Sequence, residues 1–530
     1  MSEQLALLPG YLTAHLQLTL LALFCSTAVS LPLGVAITRV RWLEQPALGL
    51  AAVIQTVPSL ALLAVMVPLL SSLGLQSIGF LPAFIGLTLY GVLPILRNTV
   101  TGIAGVDAAQ REAARGVGMT PWQQLRRVEL PLALPVIVAG LRTATVWTVG
   151  IATLSTPVGA TSLGNYIFSG LQTRNYAAIL VGCLAAAALA MLLDGLVRGL
   201  EVGVRTRRPQ LIGAVTAMIA ALYLYTGVTL TASLLPRGDT PVRIGAKAFT
   251  EQYILAHLMG QWVERETGHR TTQMQSLGSM VAFDALAAGD IDVYVDYTGT
   301  IWANEMGRDT VGMDRATVLA EVGAFLSDTH GIRVVAALGF ENAYAVAMRA
   351  QTADAMRVTR ISDLTPLAPD LSMGGDYEFF SRPEWASIRD SYQLVLAEQR
   401  TMDPALMYQA VAEGAVDLIS AFTTDGRIAV YELRVLEDDR AAIPPYDAIV
   451  LVSARLARDR PEVVAALGRL DGAIDVDTMR RMNLDVDERG VDPGVVATTF
   501  IAMHPPDAPA GADALDNSDT SGAGTIGQTP

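Results

Sequence analysis

The sequence predicts an all-α membrane domain of six spans, followed by an α/β domain outside the lipid. Residues 1–235 contain apolar stretches that are long enough to cross a bilayer. Residues 242–503 instead alternate short strands with amphipathic helices, which is typical of an α/β fold. The charge changes with the pattern. Residues 1–235 hold 13 Lys and Arg against 7 Asp and Glu, a net of +6, and residues 236–530 hold 24 against 44, a net of −20.

The orientation of the membrane domain follows from its loop charges. The apolar stretches are roughly 14–38, 48–70, 78–96, 132–156, 177–199 and 211–234. Loops after the first, third and fifth stretches are rich in arginine, whereas the loop after the second has no charge and the loop after the fourth has only Arg174. Because basic loops stay in the cytoplasm, the N-terminus is predicted outside, the 97–131 loop inside, and everything after residue 235 outside. An odd number of spans would put the second domain in the cytoplasm.

Some residues of the spans are charged or break helices. Pro58 and Pro94 are expected to kink their helices. Arg142 and Asp194 place charges in or near spans, where charge is costly, so they either serve a function or reach the interface by snorkelling. The run 155–163 is rich in Gly, Pro, Ser and Thr and predicts an outward loop or broken helix. It either lines a translocation path or is only a connection.

Composition argues against several classes of function. The acidic second half argues against binding of nucleic acid. Lys247 is the only lysine and is followed by Ala248, so the Gly-Lys-Ser/Thr of a phosphate-binding loop is absent and ATP hydrolysis is not expected of this chain. Five scattered histidines form no catalytic or metal-binding spacing, so no enzyme activity, metal or cofactor is predicted. The two cysteines, Cys25 and Cys183, both lie in apolar spans.

The run 112–131 is the most polar stretch of the membrane domain. Thr120 followed by Pro121 predicts an N-cap with proline at the first helical position. Pro131 is expected to end that short helix. A charged helix-turn-helix between two apolar spans indicates either a docking surface or an ordinary cytoplasmic loop.

This run also resembles the coupling-loop motif of ABC importer permeases. The residues that carry the resemblance are Glu112, Ala113, Ala114, Gly118, Leu130 and Pro131. The resemblance implies a short helix that fits a groove on a separate ATPase subunit. It also implies that an ATPase dimer acts on a homodimer of this chain, because one six-span domain makes half of a pore.

The second half begins with a short linker at 236–241. The alternation of Val242, Ile244 and Ala246 predicts a strand, and Thr250-Glu251 is expected to cap the helix that follows. This turn before a helix N-terminus is a ready anion site. Further strands are predicted near 270–275, 291–300 and 344–349. Residues 504–530 have no apolar pattern and are expected to be disordered.

Seven segments resemble, in this order, the binding-protein domain of importers for quaternary-ammonium osmoprotectants such as glycine betaine, choline and carnitine. They are GAKAFTEQYIL, VYVDYTGT, LGFENAYAV, GGDYEF, MDPALMYQA, AFTTDG and LEDDRAAIPPY. The resemblance implies a hinged, two-lobed α/β domain of the type II periplasmic-binding-protein class over 242–503. One lobe is expected to hold about 242–345 with 445–503, and the other 346–444. It further implies the inner (plasma) membrane of a bacterium.

A trimethylammonium group donates no N–H hydrogen bond, so aromatic faces are what hold it. The family uses a cage rich in tyrosine, and the candidates by position in the matching motifs are Tyr297, Tyr446, Tyr344 and Tyr377. A tyrosine near a strand end is otherwise a half-buried core residue. Polar residues that would orient the rest of the ligand are Gln252, Thr298 and Thr424, and Lys247 would either attract a carboxylate or remain a solvated turn residue.

One position departs from the family pattern. The Pro-Pro motif is often followed by two tyrosines, and here Tyr446 is followed by Asp447. The departure predicts either a cage that is one aromatic ring short or a cage altered toward a full cation. In the second case Asp376 is expected to face the cation as well.

The combined resemblance predicts the permease and substrate-binding subunit of an ATP-driven osmolyte importer. Two alternatives are an importer subunit for another small zwitterion, such as an amino acid, and a membrane-anchored solute sensor. A sensor is expected to carry a cytoplasmic output domain, for which the sequence offers no segment.

Overall fold

The protein is described from a computed structural model. The structure describes residues 2–173, 175–234, 240–308 and 314–504. Most of the predicted linker and all but the first residue of the predicted tail lie outside these ranges.

The membrane domain is helical throughout its described part. Its α-helices are α1 Ser2–Arg39, α2 Glu44–Thr56, α3 Ser59–Ser72, α4 Phe80–Ala104, α5 Ala108–Gly116, α6 Pro121–Gln124, α7 Leu130–Ala152, α8 Gly164–Gln172, α9 Tyr176–Arg205 and α10 Pro209–Leu234. Short 3-10 turns lie at Arg41–Leu43 and Thr153–Val158, and a π turn lies at Leu125–Glu129.

Among the described residues, five helices are long and apolar enough to cross a membrane, and there are up to six spans if one bent pair counts as a span. The bent pair is α2 and α3, which meet at 99°. We expected one kinked but continuous helix for the second span. The span is instead two separate helices that break at Pro58. Pro58 itself is the N-cap residue of α3, with a non-helical backbone. Pro94 lies inside the unbroken helix α4.

Two expectations about proline and charge need correction. Pro131 does not end the helix that Pro121 begins, because a π turn leads directly into α7 and Pro131 stands in the first turn of α7. Arg142 and Asp194 do not snorkel separately. The Nε and Nη2 atoms of Arg142 donate to the two Asp194 oxygens at 2.8 and 2.9 Å, so the pair joins α7 to α9.

The second domain contains two five-stranded sheets. The strands are β1 Val242–Lys247, β2 Thr271–Leu277, β3 Val293–Tyr297, β4 Arg333–Glu341, β5 Tyr344–Arg349, β6 Ser372–Gly375, β7 Glu398–Thr401, β8 Leu418–Phe422, β9 Leu433–Val435 and β10 Asp447–Val452. The first sheet has the order β2-β1-β3-β10-β4 and the second has the order β7-β6-β8-β5-β9. The chain thus passes between the sheets at 342–343 and again at 436–446, which makes the domain two-lobed.

Helices pack on both sheets. They are α11 Thr250–Thr267, α12 Ser279–Ala288, α13 Thr298–Thr300, α14 Arg315–His330, α15 Ala350–Met356, α16 Pro383–Tyr392, α17 Pro404–Glu413, α18 Arg427–Val430, α19 Ala454–Asp459, α20 Pro461–Gly468, α21 Val476–Asp487 and α22 Pro493–Met503. A π turn follows α13 at Ile301–Glu305, and 3-10 turns lie at Ile361–Leu364, Ala368–Asp370 and Phe379–Ser381. The expected cap on α11 is wrong: the N-cap residue is Phe249, and the Thr250 hydroxyl bonds to Asp487 instead.

The second domain and the 105–129 loop lie at opposite ends of the same helices. The second domain touches the membrane domain just before α4 begins, where Asp290 accepts a hydrogen bond from the Ser77 N–H at 2.6 Å, and just after α7 ends, where the Gly278 N–H donates to Pro157 O at 3.2 Å. The 105–129 segment joins the other end of α4 to the start of α7.

Candidate functional site

A cavity of about 360 Å³ lies where strand ends of the two lobes meet. It is lined at the ends of β1 and β3 from the first lobe, and at the ends of β6 and β8 and the start of β5 from the second. Gln172, the last residue of α8, also lines it, so the cavity reaches the membrane domain. This placement follows the rule that ligands bind at loops beyond strand ends in α/β folds.

Aromatic side chains from both lobes line this cavity, and all four predicted tyrosines are among them. The aromatic lining residues are Phe249, Tyr297, Tyr344, Tyr377, Phe422 and Tyr446. The Tyr344 ring lies 5.0 Å from that of Phe422 and 6.3 Å from that of Tyr446, centroid to centroid. Tyr377 is 69% exposed and sits at the rim.

Hydrogen bonds hold the hydroxyl groups of two buried tyrosines, Tyr297 at the end of β3 and Tyr446 just before β10. Tyr297 donates to Glu251 Oε1 at 2.5 Å, and Tyr446 donates to the buried carboxylate of Glu384. Burial raises the pKa of both tyrosines well above 10, so both hydroxyls remain protonated donors. With the hydroxyls fixed, each ring has one preferred orientation.

The Tyr446 ring packs directly on the backbone of Gly299. A Cβ added at Gly299 would meet the Tyr446 ring atoms at 2.6 to 2.7 Å, closer than real contacts allow. The glycine of the DYTGT segment therefore leaves the space that this ring occupies.

The predicted polar residues divide into two groups. Thr424 lines the cavity, whereas Gln252 and Thr298 are buried behind the residues described as lining it. Gln252 Nε2 donates to the Tyr297 hydroxyl at 3.1 Å and to Val295 O at 3.0 Å. The Thr298 hydroxyl donates to Pro445 O at 3.0 Å and accepts from the Asp447 N–H at 3.0 Å. These two side chains position the wall of the cavity.

The structure shows the partners and surroundings of three charged residues that were singled out in the sequence, Lys247, Asp447 and Asp376. Lys247 lines the cavity but is neither solvated nor free for a carboxylate, because it is buried and its ammonium pairs with Asp296. Asp447 is not one of the residues that line the cavity, and Arg315 Nε donates to Asp447 Oδ1 at 2.6 Å. Asp376 does line the cavity, and burial raises the pKa of its carboxyl.

Acidic side chains outnumber basic ones around the cavity. The lining acids are Glu251, Asp376, Glu378, Asp403, Asp425 and Asp487, and the lining bases are Lys247, Arg382 and Arg427. Arg427 pairs with Asp425 at 2.6 Å, and Arg382 pairs with Glu378 at 3.1 Å. Each of these pairs neutralises an acid as well as a base, and burial raises the pKa of Glu251, Asp376 and Asp487, so the acids exceed the bases more in number than in negative charge.

Several lining residues were missed from the sequence: Phe249, Glu251, Asn342, Arg382, Phe422, Asn483 and Asp487. Glu251, Phe249, Asn342 and Phe422 lie inside segments that carry the family resemblance, which was a usable signal. Arg382, Asn483 and Asp487 lie outside those segments.

The predicted coupling residues surround a short exposed helix pair. Glu112 and Ala113 are exposed on α5, Ala114 is buried, and Gly118 has a φ of +79° in the turn that follows. The Thr120 hydroxyl and the Gln123 side chain form a reciprocal capping box at the start of α6, as the Thr-Pro pair predicted. At the start of α7, Leu130 is half-buried and Pro131 is exposed.

The loop exposes large apolar side chains and is tied to α1. Val117 is 74% exposed and Trp122 is 66% exposed. Behind them, Glu129 is fully buried, pairs with Arg39 at the end of α1, and accepts from Gln124 Nε2 at 2.9 Å. The loop is therefore connected to α1 as well as to α4 and α7.

Two family models match the chain. One, described as the substrate-binding domain of an ABC-type glycine betaine transport system, matches residues 240–503. The other, described as the inner membrane component of binding-protein-dependent transport systems, matches residues 29–206.

Three relatives cover different parts of the chain. The ergothioneine transport permease/ergothioneine binding protein EgtU of Helicobacter pylori (strain G27) is 29% identical over 84% of this chain and 81% of its own length. The osmoprotectant import permease protein OsmW of Salmonella typhimurium is 43% identical over 36% of this chain and 91% of its own. The carnitine transport binding protein OpuCC of Listeria monocytogenes is 28% identical over 54% of this chain and 96% of its own.

The chain therefore belongs to the osmoprotectant-uptake family of ABC importers, as a permease fused to its substrate-binding domain. This confirms the predicted family and fold class. Membership implies an inner-membrane protein that works with an ATPase partner.

Proposed function

We propose that this chain imports a quaternary-ammonium solute. The binding domain captures the solute on the outer side of the membrane, and the fused membrane domain carries it inward. A separate ATPase dimer docks on the 112–131 loop and supplies the energy. Two copies of this chain form the translocation path.

The cavity carries this proposal. It has six aromatic lining residues from both lobes and more acids than bases. Aromatic faces attract a trimethylammonium group through the ring quadrupole, and each such contact is worth about 2 kcal/mol when it is desolvated. Arg382 lies 5.4 Å from the Tyr344 ring centroid, and its charge is paired with Glu378 and Glu384.

The position of the binding domain supports the direction of transport. The cavity is lined in part by Gln172 of the membrane domain, so it adjoins the domain that would carry the ligand onward. The loop that resembles a coupling loop lies at the opposite ends of α4 and α7. The arginine-rich loops at that end favour the cytoplasm.

A second candidate is a zwitterion other than the common osmolytes. The relative with the same fused arrangement over 84% of this chain is named for ergothioneine, which is itself a trimethylammonium betaine. The aromatic lining suits it as well as it suits glycine betaine, carnitine or choline.

Titration calorimetry on the full chain in nanodiscs tests this proposal. We expect at least one of glycine betaine, choline, carnitine, proline betaine and ergothioneine to bind. Replacement of Tyr446→Ala should weaken binding at least tenfold, or about 1.4 kcal/mol. Gly299→Ala should weaken it as well, because the added Cβ displaces the Tyr446 ring.

Gly323→Ala is the matched control, since its Cβ would meet only Val334 at an ordinary 4.0 Å. It should bind as the unmodified protein does. Absence of binding to every ligand of the set would contradict the proposed function.

A further inference from the structure

A second cavity, of about 940 Å³, lies between the membrane domain and the binding domain. The membrane domain contributes the start of α1, α8 with the turn that follows it, and the start of α9. The binding domain contributes α11, β2 and the segment from the end of α21 to the start of α22. This volume is larger than the 360 Å³ of the binding cavity, and the proposed transport so far assigns it no step.

A thin wall separates the two cavities. Asp487, at the end of α21, lines both of them. Gln172 lines the binding cavity, and the next residue, Thr173, lines the second cavity. The Thr250 hydroxyl lies between these groups, since it donates to Asp487 Oδ1 at 2.6 Å and lies 3.4 Å from Gln172 O. Separation of Thr250 from Asp487 would remove a contact that keeps the two cavities apart.

The lining of the second cavity suits a cation that carries methyl groups. The membrane domain contributes the tyrosines Tyr11, Tyr166 and Tyr176, and the binding domain contributes the carboxyl groups of Asp487 and Asp492. The Tyr11 and Tyr166 rings meet edge to face with their centroids 4.9 Å apart, and Tyr176 is 65% exposed. Burial lowers the pKa of His257, so this lining base is neutral at pH 7 and does not repel a cation.

The second cavity is also polar enough to hold water around a bound cation. Hydroxyl and amide side chains line it from both domains: Asn165, Ser169, Thr173, Asn175, Gln273 and Gln275. A roomy cavity with such a lining stays hydrated, so a cation inside it keeps part of its water and is held weakly. Weak binding is what a site on a transport route requires, because the site has to release what it accepts.

We infer that the second cavity is a transit site, which holds the transported cation after it leaves the binding cavity and before it enters the membrane domain. This inference rests on the proposed function and adds a second site to its route. The solute passes Asp487 when Thr250 separates from it. The tyrosines of α1, α8 and α9 then receive the methyl groups of the solute.

A bulky side chain in the second cavity tests the route. Ala177 lines this cavity, is exposed, and is not among the residues that line the binding cavity. Ala177→Trp should therefore leave the affinity of the full chain within twofold, measured by calorimetry in nanodiscs with the tightest ligand among glycine betaine, choline, carnitine and ergothioneine. Uptake of that ligand into proteoliposomes that contain the ATPase should fall at least fivefold. Ala188→Trp, at an exposed position of α9 outside this lining, should transport normally.

A second measurement separates a blocked transit site from a disturbed contact between the domains. Saturation-transfer NMR detects weak binding, and tetramethylammonium is the probe because it carries the cation and nothing else. We expect its methyl signal to persist in the Tyr446→Ala full chain, whose binding cavity is impaired, and to disappear when Ala177→Trp is added. Neopentyl alcohol, which has a similar shape without the charge, should give less than a fifth of the signal.

The results distinguish the two proposals. If Ala177→Trp transports normally, or if the methyl signal survives it, the second cavity is not a transit site and the importer proposal stands. If Ala177→Trp does not fold, Tyr176→Ala takes its place, since loss of this exposed lining ring should lower both uptake and the methyl signal, and unchanged values would overturn the inference. If none of the four ligands binds the unmodified chain, the proposed function fails first and the transit site fails with it.

Discussion

Asp487 lies between the binding cavity and a second cavity. The second cavity, of about 940 Å³, lies at the junction of α8, α9 and the start of α1 with the binding domain, and Asp487 lines both. Its Oδ1 accepts from the Thr250 hydroxyl at 2.6 Å. Burial raises the pKa of the Asp487 carboxyl to about 7; Arg427 opposes the shift, and Asp425 and Glu488 add to it.

This carboxyl predicts that ligand affinity depends on pH. With a pKa of about 7, Asp487 is mostly neutral at pH 6 and mostly ionised at pH 8. A cation favours the ionised form, so affinity for a trimethylammonium ligand should rise with pH by up to about tenfold, which is the ratio of the ionised fractions. Calorimetry at both pH values measures it.

Asp487→Asn is the control for this prediction. The variant should lose most of the pH dependence, because residue 487 then carries no titratable group. The other lining acids are unchanged. An unchanged pH profile in the variant would assign the titration to another group.

At the level of single residues, the sequence predicted which rings line the cavity better than which charges do. A tyrosine ring at a strand end has few possible orientations, and all four predicted tyrosines lie in segments that carry the family resemblance. The direction of a charged side chain depends on its partner. Lys247 turns to Asp296 and Asp447 turns to Arg315, and no local pattern names either partner. Asn483 reaches the cavity from a helix near the end of the domain, a contact that only the tertiary fold creates.

At the level of elements, the first lobe carries the packing between the two domains. Leu63 and Val67 of α3 pack in one cluster with Ala282, Phe283 and Leu286 of α12. Asp290, at the end of α12, accepts from both the N–H and the hydroxyl of Ser77, at 2.6 and 2.8 Å. Movement of the second lobe against a first lobe held in this way would open the cavity without undocking the domain.

Loss of this contact should separate binding from transport. Asp290→Ala removes the acceptor of two hydrogen bonds to a charged group, each worth about 1.5–3 kcal/mol. We expect ligand affinity within twofold of the unmodified protein, because Asp290 is not among the residues that line the cavity. Uptake into proteoliposomes that also contain the ATPase should fall severalfold.

Asp328→Ala, at an exposed position of α14, is the matched control and should transport normally. Full uptake by the Asp290→Ala variant would show that this hydrogen-bonded contact does not matter for delivery.

The order of helices and strands was largely predictable, but two breaks were not. Residues 48–70 are continuously apolar, so hydropathy shows one span where α2 and α3 meet at 99°. A proline indicates that a helix is disturbed, but the size of the bend depends on what packs beside it. A proline is compatible both with the end of one helix and with the first turn of the next. The sequence around Pro131 does not distinguish the two, so the predicted helix end was wrong.

At the level of the whole molecule, the two ends of α4 and α7 contact different parts of the protein. One end meets the binding domain, and the other carries the 105–129 loop. The buried Glu129 links that loop to α1 through Arg39. Charge alternation predicted this separation of the two ends, because the basic loops gather at one of them. If the ATPase docks on the 105–129 loop as proposed, the energy for transport has to cross the full length of these helices.

Changes in the coupling loop should therefore abolish uptake and leave ligand binding intact. Gly118→Ala forces a side chain into a left-handed backbone at φ +79°, which costs about 1 kcal/mol and distorts the turn between α5 and α6. Glu112→Ala removes an exposed charge from the proposed ATPase contact. Gly116→Ala, two residues away with open space around its Cβ and no positive φ, should be tolerated. Uptake with the ATPase present and calorimetry on the same preparations measure the two effects separately. If uptake survives Glu112→Ala and Gly118→Ala, this loop is not the docking site.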